Sequence, residues 1–266
     1  MYCPSAPANA LDRVRFWFRR MRIDILTLFP EMFSGVLTAS ILKRASEKKL
    51  ASYHLHQLRD YTLDPHGKVD DRPYGGGAGM VIMCQPVVDA VQAIEKLDAV
   101  ASRRVLLSPR GRRLSQKLAA ELANEPRLLL IAGHYEGFDE RIGQILEPEE
   151  ISIGDYVLSG GELAAMVLLD AVIRLLPGVL GDQTSPHSES FATDDLVDGG
   201  LEYPHYTRPR EFGGLSVPEV LLSGDHAQIA RWRRARAGEV TAKLRPDLVA
   251  GRIAAPPVKK RRGEME

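Results

Sequence analysis

Cysteine is scarce in this chain: Cys3 and Cys84 are the only two. They cannot build a disulfide framework or a four-ligand zinc site, so nothing points to an oxidising compartment and a cytoplasmic location is expected. Long apolar runs are missing as well. Without about 18 uninterrupted apolar residues, neither a membrane span nor a membrane partner is expected. Net charge is absent too, with 35 Lys and Arg against 35 Asp and Glu.

The nucleotide and hydrolase fingerprints are also missing. Gly75, Gly77 and Gly79 lie in "DDRPYGGGAGMV", but no Lys-Ser/Thr follows as a P-loop needs, and Met80 and Ile82 break the dinucleotide spacing. The residues before them, Asp70 to Tyr74, are too polar and proline-broken for a buried strand, which argues against a Rossmann-type methyltransferase loop. The run therefore reads as a surface loop. No Gly-x-Ser-x-Gly elbow surrounds Ser159, which leaves a hydrolase triad without an anchor. Of seven histidines, only His54 and His56 share a strand face, and spacing places no third ligand beside them. No metal site is assigned.

What is present suffices for a folded core. At 266 residues and 44% hydrophobic, one large domain and a smaller one are expected. Residues 1–20, basic and aromatic but without the apolar core of a secretory signal, are set outside the fold as a disordered extension. Residues 181–203 carry six acids, Asp182, Glu189, Asp194, Asp195, Asp198 and Glu202, and no Lys or Arg. That composition suits a flexible acidic connector. From His226 onward, eleven Lys and Arg face four acids, concentrated in "RWRRAR" and "KKRR". This end suits either a phosphate-backbone reader or a solvated helix face with a solubilising tail.

The hydrophobic pattern alternates strands with helices. Ile23, Ile25, Leu26 and Leu28 suggest a buried strand, and Met32, Phe33, Val36, Leu37, Ile41 and Leu42 recur at helical spacing across residues 31–50. Next come a strand in "RRVLLS", a helix in "LSQKLAAELA", a strand in "RLLLIAG" and a strongly apolar helix in "GELAAMVLLDAVIRLL", which Pro177 and Gly178 end. Such alternation predicts a parallel sheet, whose ligands sit at the carboxyl ends of the strands. Three loops follow strands there: Leu107 to Pro109, "GHYEGFDER" and "ISIGDYVLSGG". They offer approachable backbone, apolar walls, few fixed cations and one interior acid, Glu136. A flat heteroaromatic ligand with an amine suits them better than a polyphosphate; alternatively they are three tight turns that only let the layers pack.

Eight strings in order, "LFPEMF", "DDRPYGGGAGM", "LSPRGRRL", "GHYEGFDERI", "SIGDYVLSGGE", "RLLPGVLG", "YPHYTRP" and "VLLSGDHAQIARWR", resemble the bacterial tRNA (guanine-N1)-methyltransferases of the SPOUT class. The resemblance implies an α/β fold, a SPOUT-type parallel sheet with a deep C-terminal trefoil knot over residues 21–180. A linker over 181–210 and a small all-helical tRNA-binding domain over 211–253 would follow, then a disordered basic tail over 254–266. It implies S-adenosylmethionine bound in the knot by Leu107, Ser108, Pro109, Gly133, Tyr135, Glu136, Ile153, Gly154, Asp155, Tyr156, Val157, Leu158, Gly160 and Gly161. It also implies a homodimer with active sites at the subunit interface. The family is associated with Mg2+ stimulation, although no ligand cluster identifies a site.

The implied reaction dictates further groups. N1 of neutral guanine carries a proton and has no free lone pair, so a general base must remove it, and charge spreading to O6 needs a donor. By resemblance Arg174 is that donor. The family presents an aspartate just before Ser-Phe in the connector, whereas "HSESFATDD" puts Glu189 there. A short insertion follows, so Asp194 and Asp195 stay open beside Glu189 as the base. The target would be the guanosine immediately 3′ of the anticodon, flipped from its loop. Asp70, Arg72, Gly75, Gly79, His226, Arg231, Arg233 and Arg234 would contact the tRNA. A non-catalytic RNA-binding protein, or a knotted methyltransferase acting on another RNA or a ribose, are the alternatives.

Overall fold

The computed structural model describes residues 20–181, 189–192 and 199–253. The expected extension, apart from Arg20, and the basic tail lie outside the described residues. The chain divides into two compact units, Met1–Gly181 and Asp182–Glu266.

The first unit is a mixed α/β layer structure. Its main elements are β1 (Met21–Thr27), α1 (Ser34–Leu37), α2 (Ser40–Glu47), β2 (Ala51–Gln57), β3 (Asp70–Asp71), β4 (Val81–Ile82), α3 (Cys84–Glu95), β5 (Arg103–Arg113), α4 (Gln116–Ala123), β6 (Arg127–Ile131), α5 (Glu140–Leu146), β7 (Glu149–Ser152) and α6 (Glu162–Ile173). Five strands form one sheet in the order β2-β1-β6-β5-β7, and every pairing in it is parallel. Parallel strands need covering on both faces. Alternation along each strand provides this: Ile23, Ile25, Leu128, Leu130, Val105 and Leu107 join the core with α2, α4 and α6, while Leu26, Leu129, Ile131 and Leu106 join the core with α3 and α5.

Two sequence expectations change in detail. The single helix expected over residues 31–50 is broken into a 3-10 turn at Pro30–Phe33, α1 and α2, because the chain turns at Thr38 and Ala39 and Ser40 takes φ of 47°. The Gly75–Gly79 loop, read as plain surface, is bracketed by a two-residue antiparallel pairing of β3 with β4. That pairing fixes the loop's two ends while its glycines stay exposed.

A buried charge cluster on the α3 face lies at the amino ends of β1 and β6. Arg127, 1% exposed, donates to Asp24, itself 0% exposed, at 3.0 Å, and to the carbonyls of Ile94 and Val100 at 2.6 and 2.9 Å. It thus caps the carboxyl end of α3, whose last carbonyls have no intrahelical donor. Arg22 and His56 also bind Asp24. Burial pushes the Asp24 carboxyl up, but hydrogen bonds from His56, Arg22 and Arg127 outweigh it and hold the group well below the usual carboxylate range. His56 therefore has a structural partner, and among the described residues no group of histidine, cysteine or acidic side chains is arranged to hold a metal ion.

The second unit contains a hairpin, β8 (Glu211–Phe212) with β9 (Leu215–Ser216), a 3-10 turn at Glu219–Leu222, and helices α7 (His226–Leu244) and α8 (Pro246–Ile253). It is thus not all-helical. Asp225 caps α7, accepting from the amides of Ala227 and Gln228, both at 3.0 Å. The described part of the expected linker also has its own packing. Ala192 and Tyr203 pack with Ala237 of α7, and the amide of Leu201 donates to Thr241 Oγ1 at 2.8 Å. Ala237 and Thr241, one turn apart and both buried on α7, supply the surface against which it rests.

Candidate functional site

The carboxyl ends of β5, β6 and β7 frame one cavity of about 390 Å³. Its first wall comes from an irregularity in β5. Leu107 and Arg112 both register with Ile151 of β7, so Ser108 to Gly111 arch out of the ladder. A bulge re-aims side chains beside a site, and Pro109 in it has no amide to leave unpaired. Gly111 closes the arch: a Cβ there would lie 2.4 Å from the backbone of Glu150 and Ile151. No other residue lets β5 return so close to β7.

The second wall is the loop after β6. Tyr135 takes φ of 61°, a left-handed conformation that is costly for an aromatic residue and is found mostly at constrained functional sites. Its neighbours are pinned to the glycine loop, since the amide of Glu136 donates to Met80 O at 3.0 Å and that of Ile82 to Gly137 O at 2.9 Å. The Glu136 carboxylate lies against Gly79, where a Cβ would meet its Oε1 at 2.3 Å. Farther along the lining, Asp139 caps α5. Hydrogen bonds from the Arg141 side chain hold its carboxyl well below the usual carboxylate range.

The third wall is the 153–161 loop, which runs back from the edge strand β7 toward β6. The amide of Gly161 donates to Gly133 O at 2.7 Å, and His134 pairs with Gly160 as an isolated bridge. A Cβ on Gly161 would lie 3.0 Å from Ala132 Cα and Gly133 N and 3.2 Å from Leu107 Cβ. Bare backbone therefore faces the ends of β5 and β6. From Gly161 the chain enters α6, which packs against α2 and α4.

Thirteen of the fourteen residues expected around a cofactor line this cavity: Leu107, Ser108, Pro109, Gly133, Tyr135, Glu136, Ile153, Gly154, Tyr156, Val157, Leu158, Gly160 and Gly161. Asp155 does not, because its side chain is 81% exposed and paired with Arg113. Sequence reasoning missed His134, Phe138, Asp139 and Arg110, which also line it, and Glu162 behind the wall. An acid opening an otherwise apolar helix was the available signal for Glu162.

The remaining expected residues are elsewhere. Arg174 is the half-buried carboxyl cap of α6, about 18 Å along the helix axis from Glu162 at the other end. Glu189 is half-buried in the second unit, and Asp194 and Asp195 lie outside the described residues. Asp70 belongs to β3, while Arg72, Gly75 and Gly79 are exposed in the loop after it. His226, Arg231 and Arg234 are exposed on α7. Arg233 differs from them: it is half-buried, with its guanidinium 4.8 Å from the Tyr203 ring centroid, an arrangement that holds the 199–206 segment rather than presenting a free cation.

A family profile described as tRNA (Guanine-1)-methyltransferase TrmD matches residues 21–251. The chain belongs to this family. Among curated relatives, a protein of Dehalococcoides mccartyi named tRNA (guanine-N(1)-)-methyltransferase is 54% identical over 229 residues, covering 86% of this chain and 90% of that protein. Proteins of the same name from Carboxydothermus hydrogenoformans and Bacillus cereus are 55% and 53% identical over 229 and 232 residues. They cover 86% and 87% of this chain, and 87% and 93% of their own lengths. The matched span takes in the whole cavity and α7, so family membership applies to both units. Among the described residues, no helix is long and apolar enough to cross a membrane.

Proposed function

We propose that the chain binds S-adenosylmethionine in the cavity at the carboxyl ends of β5, β6 and β7 and methylates N1 of the guanosine immediately 3′ of the anticodon in tRNA. One observation carries the reading: a chain of this family has, at the carboxyl ends of three parallel strands, a cavity walled by glycine backbone, apolar side chains and an exposed carboxylate. The residues fit the cofactor. Gly133 and Gly160 leave no room for a Cβ and Gly161 only a tight one, so bare backbone at these positions suits a flat adenine ring, and Glu136 would meet the amine of the methionine moiety. When bound, the cofactor supplies an electrophilic sulfonium methyl group.

The chain's own residues do the rest. Leu107, Ile153 and Leu158 exclude water from the transfer path. Glu189 takes the N1 proton, with Asp194 and Asp195 the other candidates, and the Arg174 guanidinium meets the charge that moves to O6. Within one protomer Arg174 is at the far end of α6 from the cavity. That separation supports a homodimer in which Arg174 of one copy serves the cavity of the other. Leu163 and Val167, 47% and 49% exposed one turn apart on α6, give such a dimer an apolar face.

The return of the 153–161 loop from β7 across β5 to β6 supports a trefoil knot within residues 21–180. Residues 181–210 would then join this domain to a tRNA-binding domain over 211–253, with His226, Arg231 and Arg234 on phosphates and Asp70, Arg72, Gly75 and Gly79 near the target base. A cytoplasmic location suits a tRNA substrate. Mg2+ has no supporting ligand group among the described residues. Transfer of a radiolabelled methyl group to an unmodified tRNA transcript tests the function. Label should appear in 1-methylguanosine and vanish when another base replaces the target guanosine. A protein that binds tRNA without transferring label is a binding module, and label on another atom or a ribose refutes the assigned reaction.

A further inference from the structure

Behind the third wall lies a polar pair that the proposed chemistry does not use. Glu162, at the first position of α6, is 1% exposed. Its Oε1 accepts from Thr27 Oγ1 at 2.8 Å. Its Oε2 is 3.8 Å from Nδ1 of His134, and that nitrogen is buried without a hydrogen-bond partner. A buried carboxylate is tolerated when hydrogen-bonded and paired, and the helix amino terminus adds favourable potential here. An orphaned ring nitrogen beside it is the unfinished half of the arrangement.

The pair grips the turn that walls the cavity. A Cβ on Gly160 would lie 2.3 Å from Glu162 Oε2 and 2.5 Å from His134 Nδ1, so the Gly160 backbone is wedged between the two side chains. The His134 backbone pairs with Gly160, and its ring is fixed from the other side by Phe29, with centroids 5.0 Å apart at 62°. Thr27 is itself anchored, its hydroxyl accepting from the Phe29 amide at 3.0 Å. The end of β1, the loop after β6 and the start of α6 therefore meet at one carboxylate.

We propose that Glu162 and His134 are a positioning pair. With the cavity filled, Nδ1–H of His134 donates to Glu162 Oε2 and locks the 160–161 turn against Gly133, so that the pair sets cofactor affinity without touching reacting atoms. This rests on the cavity being the S-adenosylmethionine site, and the test separates the two claims. Calorimetry measures S-adenosylmethionine binding to the full chain and to Glu162→Gln, His134→Gln, their double variant, His134→Arg and Leu158→Arg.

Glu162→Gln keeps the shape and the Thr27 contact, and His134→Gln removes the other partner. Each should weaken binding about tenfold, and the double variant should be no weaker than the worse single one, since the two act as one unit. His134→Arg, which keeps an N–H donor, should stay within about threefold of the parent. A destabilised fold alone would give additive losses and no rescue by arginine, and that result overturns the proposal. Binding that Leu158→Arg leaves intact refutes the cavity assignment instead. Binding that Leu158→Arg abolishes, while Glu162→Gln and His134→Gln match the parent, refutes the pair alone. If Glu162→Gln fails to fold, the two His134 variants decide the matter, because that side chain is 25% exposed and at the cavity edge.

Discussion

Replacing Gly161 with alanine tests how closely the third wall must approach the sheet. The backbone there has an ordinary φ of −81°, so alanine meets no conformational penalty and the perturbation is purely steric. Its Cβ would arrive 3.0 Å from Ala132 Cα and Gly133 N and 3.2 Å from Leu107 Cβ, each a few tenths of an ångström inside normal contact. Two of these atoms are backbone at the end of a central strand and cannot rotate away, so the 153–161 loop must yield. Overpacking of this kind costs about 1–3 kcal/mol. If the loop absorbs it by lifting from Gly133 O, where its amide now sits at 2.7 Å, the cost falls on the bound state. S-adenosylmethionine should then bind about 5- to 150-fold more weakly, while the urea midpoint changes little. Calorimetry and urea unfolding on the same preparation separate the outcomes. Parent-like affinity together with a parent-like midpoint would show that the wall has slack, and would refute the close-approach reasoning.

Other perturbations have equally definite outcomes. Arg127→Met should cost about 3–5 kcal/mol of stability by urea unfolding, as expected for breaking a buried pair; a loss under about 1 kcal/mol would mean that Arg22 and His56 satisfy Asp24 alone. Because the folded Asp24 carboxyl is held below its ordinary value of about 4, its contribution is complete above that pH and is lost as pH falls below it, so the first unit's stability should drop on acidification. Asp24→Asn should flatten that acid limb. Neutralising Arg231 and Arg234 together should weaken tRNA binding and reduce its salt slope by about 2, whereas Arg233→Gln should chiefly loosen the second unit, read as a lower melting temperature. Glu189→Gln should lower the single-turnover methylation rate by orders of magnitude; if Asp194→Asn or Asp195→Asn does so instead, the base is misassigned.

Much was legible in the sequence because it is local. The near-continuous apolar run of β6, the mostly buried β1 and the helical spacing of α4 and α6 follow from burial on two faces of a parallel sheet, and a string such as "GHYEGFDERI" identifies the family directly. The strand-end loops were also readable as neighbours around one cavity, since strand direction alone puts them at one edge. Other features depend on distant atoms. That Ser108 to Gly111 arch away from β7, that Asp155 turns out to Arg113, and that Arg233 stacks on Tyr203 are set by partners dozens of residues away. So is the burial of Glu162 between Thr27 and His134, 135 residues of sequence separating the first two. The sequence by itself determined the alternation of strands with helices, the family and the edge of the sheet at which the three loops gather. Only the tertiary structure decided which backbone atoms come within contact distance, because that depends on how a loop leaving the edge strand packs back onto the centre of the sheet.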